Sequence, residues 1–214
     1  RLQASFTTCS AMCKFTSENA TMDTDLSKYD VSANAIKSLT TDLMQEASQS
    51  LLQLFGAKGY RLDHIAGRSV VDSRPFQIFE GSNDILYQQI SESVLKMMRK
   101  LKVNNLYEFL SSYNLTENAA DYFKDVLNFE VNRKMAQRKL VELGQVVGRI
   151  ISLEFVLKLG EKGFNSDMIA NCISVIRTDV NQRMTAFRTG HMAAFTEGYE
   201  ENSSWLNYLS YDAT

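Results

Sequence analysis

Residues 72–86 read DSRPFQIFEGSNDIL. This stretch holds the only proline of the chain, Pro75, and passes from no visible period into a helix. Ser82 or Asn83 is the expected N-cap, because a short polar side chain there satisfies amides that the first turn leaves free. Beyond it, Ile85 or Leu86, Ile90, Val94, Met97 and Leu101 step at helical spacing. Lys96, Arg99, Lys100 and Lys102 crowd the last turns, where the helix dipole favours cations. Glu80 and Gly81 fall just before the helix N-terminus, where the dipole stabilises an anion and free N–H groups point outward. Gly81 admits a ligand close to the backbone, and Ser82, Asn83 and Asp84 offer hydrogen bonds to a polar or phosphorylated group. On residue type alone, the plainer reading is preferred: Glu80 as an N-terminal charge and Gly81 as a turn residue.

On both sides of that stretch the pattern stays helical. Towards the N-terminus, Ile36, Leu39, Leu43, Ala47, Leu51 and Leu54 form a stripe that Ser32 can cap and that Gly56 and Gly59 end. Leu2, Phe6, Cys9 and Cys13 mark an earlier helix to about Glu18, followed by a polar loop from Asn19 to Asp30. Between Gly59 and Gly81 the helical period disappears, which predicts a loop with a strand-like or irregular piece around Val70–Val71. Towards the C-terminus the composition shifts at Asn104, where a boundary is expected. Leu106, Phe109 and Leu110 suggest a short helix. Thr116 can cap a longer one that buries Phe123, Leu127, Val131 and Met135. Leu140, Leu143, Val147, Ile150, Ile151 and Phe155 carry the pattern to Gly160, with Gly144 and Gly148 spaced to let a neighbouring helix approach. Asn165 or Ser166 caps a last long helix ending near Gly190, before an amphipathic tail with Trp205, Leu206, Tyr208 and Tyr211. The expected fold class is all-α: an antiparallel helical bundle over residues 1–103, followed by a second helical extension over residues 104–214.

Composition narrows the function. The chain has 214 residues, 44% hydrophobic and 22% charged, a globular balance. A formal net charge of −2 argues against a dedicated nucleic-acid binder. Two histidines, His64 and His191, leave little for a His-rich metal site or a His-dependent triad, and a capping or surface role is expected for each. Cys9, Cys13 and Cys172 are too few and too odd in number for a disulfide framework and read as small reduced hydrophobes. The longest apolar run, Val146 to Leu159, is interrupted by Arg149, Glu154 and Lys158, so no membrane span is expected. A cytoplasmic location, or the mitochondrial matrix in a eukaryote, follows as the expectation. The chain opens at Arg1 directly on a helical pattern, which reads as a fragment of a longer polypeptide.

Two motifs make the sequence recognisable. Gln53-Leu54-Phe55-Gly56-Ala57-Lys58-Gly59-Tyr60 resembles the Q-x-x-G-G-x-G-[FY] turn of the C-terminal helical domain of acyl-CoA dehydrogenases. About twenty residues later, Gln77-Ile78-Phe79-Glu80-Gly81-Ser82 resembles that family's [RQ]-I-x-E-G-T, and the run on to Leu86 is most similar to its very-long-chain branch. The resemblance covers about residues 1–103. Beyond residue 104 it rests on position and helical content.

The resemblance implies a flavin-dependent oxidation of an acyl-CoA thioester to the trans-2-enoyl-CoA. In that reaction a glutamate removes the α-proton while the flavin N5 accepts hydride from the β-carbon. Glu80 falls on the position that supplies this base in most branches; some branches place the base on another helix. The Glu80 N–H would help polarise the thioester carbonyl. Gln53, Gly56 and Ala57 correspond to the turn that holds the adenosine-diphosphate arm of FAD across a subunit interface. Ser82, Asn83 and Asp84 correspond to FAD contacts, and Phe79 and Gly81 to the acyl-thioester end. The family also implies a homo-oligomer and electron-transfer flavoprotein as acceptor. Ala57 stands where the family has a second glycine, Val71 where an arginine often precedes the aspartate, and Ser82 where it has threonine. The domains that hold the flavin ring are not found in this sequence, so the isolated chain is expected to be inactive. The alternative is a non-catalytic helical module for oligomerisation or partner docking. For the extension, packing against its own bundle is preferred over contact with a membrane surface.

Overall fold

The computed structural model describes residues 1–132 and 134–189. Among these the fold is all-α. Helices α1 (Leu2–Asn19), α2 (Asp30–Phe55), α3 (Ile65–Ser73) and α4 (Asn83–Leu101) precede the short α5 (Leu106–Ser112) and α6 (Lys124–Leu127). The long α7 (Gln137–Glu161) and α8 (Ser166–Thr189) follow. Single 3-10 turns at Leu26–Tyr29, Gly56–Lys58, Arg74–Gln77 and Ala120–Phe123 join them. His191, Gly190 and the tail residues Trp205, Leu206, Tyr208 and Tyr211 lie outside the described residues. No helix among the described residues is long and apolar enough to cross a membrane.

α7 is the centre of the molecule. It packs on α1, α2, α4 and α8, and from Val146 to Val156 every residue is buried. That explains its unbroken apolar run: a helix surrounded by helices has no solvent face to make polar. The two charges inside the run are buried with it. Glu154 accepts the backbone N–H groups of Asn118 (3.0 Å) and Ala119 (2.9 Å) and the Asn118 side-chain amide (2.8 Å), and Lys158 lies 3.2 Å away. Arg149 donates to the Gln145 carbonyl at 3.0 Å and faces Asp179 at 3.7 Å. One apolar cluster runs from Ala4 and Met12 through Leu39, Ile90 and Val94 to Ile150, Phe155 and Val180. It draws on both sides of residue 104.

The glycine spacing in α7 has the expected consequence. A Cβ on Gly144 would stand 1.9 Å from the Tyr87 carbonyl oxygen, so α4 lies directly on that glycine. The α8 cap also follows expectation, with the Asn165 side chain accepting from the Met168 N–H at 3.0 Å.

Three local expectations are corrected. α2 begins at Asp30, and Ser32 is not its cap: its hydroxyl donates to the Tyr29 carbonyl (3.1 Å) inside the buried first turn. The stretch around Val70–Val71 is helical, not strand-like. Nine residues give only two turns, and α3 buries Ala66, Gly67 and Ser73 while leaving Ile65 and Val71 exposed, so its apolar residues do not mark its inner face. Thr116 starts no long helix. Its buried hydroxyl donates to the Leu110 carbonyl at 2.6 Å, and the chain then coils through a 3-10 turn and the four-residue α6. Phe123, Leu127 and Val131 are buried as expected, without a continuous helix to place them, whereas Met135 is only half-buried. The cysteines divide: Cys172 is buried, Cys9 half-buried and Cys13 exposed, all of them free.

Candidate functional site

The 72–86 stretch folds as a staple over one face of α2. Pro75 suits the second position of its 3-10 turn, Arg74–Gln77, where its fixed φ costs nothing and its missing N–H is not needed. The Pro75 carbonyl receives the Ile78 and Phe79 N–H groups, both at 2.9 Å. The chain then makes two left-handed steps, Glu80 at φ +56° and Gly81 at φ +93°, and enters α4. Gly81 takes that conformation readily. For Glu80, an L-residue with a Cβ, it carries a strain of roughly 1–2 kcal/mol.

Polar residues of α2 hold this turn. Lys37 Nζ donates to the Gly81 carbonyl (2.8 Å) and to Asn83 Oδ1 (3.0 Å). Asn83 Nδ2 donates to the Ser38 carbonyl (3.0 Å) and to Asp42 Oδ1 (2.6 Å). Asp42 also accepts Gln77 Nε2 (2.7 Å) and the Tyr87 hydroxyl (2.7 Å). Burial pushes the Lys37 ammonium below its ordinary pKa, against the opposing pull of the Glu80 and Asp42 charges. Burial, and then the Asp42 charge, push the Tyr87 phenol well above its ordinary range.

The residues singled out from the sequence fall into two groups. Phe79, Glu80, Gly81 and Asp84 are exposed around the start of α4, with Ser82 half-buried at the N-cap position. Ser82 makes no side-chain cap bond, and Asn83 is buried with its amide committed to α2. Gln53, Gly56 and Ala57 form the second group, all exposed at the end of α2. Gly56 closes the helix at φ +57°, ψ −139°, with open space where a Cβ would stand. Gln53 lies eleven residues beyond Asp42 on the same helix, so the groups are roughly 16 Å apart along its axis. They do not converge on one small site within this chain.

Beside the turn, Gln45, Gln49, Val70, Val71, Arg74, Pro75, Ile78 and Phe79 line an open groove of about 670 Å³. Leu54, Tyr60, Leu62, Ile65 and Phe76 are also exposed in this part of the chain. His64 does what was expected of a lone histidine: it is the N-cap of α3, its Nδ1 accepting from the Ala66 N–H at 3.2 Å. Arg74 donates to Gln77 Oε1 at 2.7 Å.

Sequence reasoning missed Lys37, Asp42 and Tyr87, and Thr41, whose hydroxyl accepts from Asn83 Nδ2 at 2.9 Å. The available signal was Lys37, Thr41 and Asp42 as polar residues within one turn and a half of a helix whose remaining stripe is apolar.

Comparison with curated proteins returns no match. Comparison with protein families matches residues 1–95 to the acyl-CoA dehydrogenase C-terminal domain, a stretch that takes in α1 to α3 and most of α4 with both motifs.

Proposed function

We propose that the chain is the C-terminal part of a flavin-dependent acyl-CoA dehydrogenase, with Glu80 as the base that removes the α-proton of the acyl thioester. The observation that carries the reading is the Glu80–Gly81 turn. Its two left-handed residues turn an exposed carboxylate out at the mouth of α4, within a stretch that matches the family. The turn is fixed from behind by Lys37 and Asn83, so Glu80 needs no reorganisation to meet a substrate.

The residues present fit a flavin dinucleotide. Gly56 leaves open space at its Cβ position, and the Gln53 side chain is exposed beside it, which suits close approach of a pyrophosphate and its adenosine arm. Ala57 is also exposed, so its methyl does not point into a packed wall. Ser82 and Asp84 stand at the N-terminal turn of α4 as the second contact region. The separation of the two groups along α2 is compatible with each serving a different flavin in a homo-oligomer. When bound, the flavin supplies the acceptor for the hydride that leaves the β-carbon.

This chain's residues then act as follows. Glu80 Oε takes the α-proton. The Glu80 N–H polarises the thioester carbonyl, and Phe79 and Gly81 border the acyl end. An acyl-CoA is the substrate and electron-transfer flavoprotein the acceptor in this reading. In the full-length protein, Glu80→Gln is expected to lower acyl-CoA turnover by roughly 10³-fold or more while bound flavin, read by absorbance, stays stoichiometric. Turnover like wild type in that variant removes Glu80 from the role of base.

A further inference from the structure

Asp42 lies on α2, far in sequence from both motifs, and it touches both feet of the turn that carries Glu80. Gln77 stands three residues before Glu80 and Asn83 three residues after it. The side-chain amides of both donate to the same oxygen, Asp42 Oδ1, at 2.7 and 2.6 Å. The other carboxylate oxygen is anchored by the Tyr87 hydroxyl at 2.7 Å, from a fully buried ring that packs against α7. A left-handed Glu80 is a state that a free turn would leave, because the strain relaxes once the feet separate. From this geometry we infer that Asp42 is a positioning residue: it clasps Gln77 and Asn83 so that the 77–83 turn holds Glu80 and Gly81 in their left-handed conformation, aimed at substrate. The inference rests on the proposed function for what Glu80 does, and on geometry alone for what Asp42 does.

Three variants of the full-length protein separate the parts. Asp42→Ala removes the acceptor that the two feet share, leaving Asn83 its bonds to the Ser38 carbonyl and Lys37. Asp42→Asn keeps one acceptor oxygen for Gln77 and Asn83 and lets the Tyr87 hydroxyl turn to accept. Gln77→Ala removes one foot and leaves the Asp42–Tyr87 pair in place, so it carries the test if Asp42→Ala does not fold. A glutamate-specific protease reads the turn through cleavage after Glu80, relative to cleavage after the exposed Glu117. The ratio is expected to rise about tenfold or more in Asp42→Ala, a few-fold in Gln77→Ala, and to stay near wild type in Asp42→Asn. With acyl-CoA as substrate, kcat should fall about tenfold or more in Asp42→Ala with KM changed less than about twofold, and Asp42→Asn should recover most of it. An unchanged cleavage ratio in Asp42→Ala and Gln77→Ala overturns the inference. So does a loosened turn with kcat untouched. If the wild-type protein turns over no acyl-CoA at all, the proposed function fails, and the protease ratios still decide the clasp.

Discussion

At Glu80 local stability and the proposed chemistry pull in opposite directions. A glycine there would relieve the left-handed Cβ clash and would bring its own loss of chain entropy on folding. The balance favours glycine, so Glu80→Gly is expected to raise unfolding stability by about 0.5–1 kcal/mol, read by denaturant titration, and to abolish turnover. A destabilised variant would show that the clasp from α2 has removed the strain. Tyr113 supplies a separate test. Burial, and then the nearby Asp30 charge, push its phenol up to about 12. Below pH 10 the phenol is neutral in both folded and unfolded chains and has no effect. Above pH 10 the unfolded chain releases this proton while the folded one retains it, so stability is lost as pH rises from 10 towards 12. Tyr113→Phe should flatten that alkaline fall in Tm, with little change at neutral pH; parallel pH profiles for variant and wild type would count against it.

Among the elements, the contact of α4 with α7 is the closest, and it can be tested at a single atom. Gly144→Ala places a methyl 1.9 Å from the Tyr87 carbonyl oxygen, a backbone atom that cannot move without shifting α4. The expected loss is about 2–3 kcal/mol, despite the gain in helix propensity. Gly148→Ala meets only the Tyr87 ring at 3.4 Å and should stay within about 1 kcal/mol of wild type. Equal effects at both positions would mean that helix propensity, not interhelical distance, decides. α2, α4, α7 and α8 were legible because each is long and carries a stripe or an apolar run that outlasts chance. α3 was not, since two turns anchored through Ala66, Gly67 and Ser73 leave no apolar period. The 116–136 segment was misread because its burial is set by α7: the carboxylate of Glu154 binds the amides of Asn118 and Ala119 where a helix would otherwise begin. For the candidate site, Glu80 and Gly81 stood out as a local pattern. The Asp42 clasp did not, because its partners lie 35, 41 and 45 residues away and nothing in a linear reading brings them together.

For the whole molecule, the decisive fact is that one core is shared across residue 104. The inner faces of α1 and α4, with Ala4, Ala11, Met12, Ile90, Val94 and Met98, are part of the same cluster as Val146, Val147, Ile150, Ile151 and Phe155 of α7. Each buried Val, Ile, Leu, Phe or Met side chain among them contributes on the order of 1.5–3 kcal/mol by leaving water. Removing α7 and α8 forfeits this for roughly ten side chains on the lost helices and uncovers their partners. Residues 1–103 keep the full entropy cost of their own ordering and lose the apolar surface that covered their inner faces. A chain cut after residue 103 is therefore expected not to reach a packed native state. Its far-ultraviolet circular dichroism should show reduced helix, its thermal transition should lose cooperativity, and its amide spectrum should collapse to narrow dispersion. If the cut chain instead melts in one sharp transition, residues 1–103 carry a sufficient core of their own and the extension is an independent unit. The matched region ends at residue 95, but the helix that covers it belongs to the extension. The stiffness of the Glu80 turn depends on the same arrangement. Tyr87 anchors Asp42 only while its ring is held against α7, so the extension supports the turn although none of its described residues reaches the turn in the hydrogen bonds that fix it.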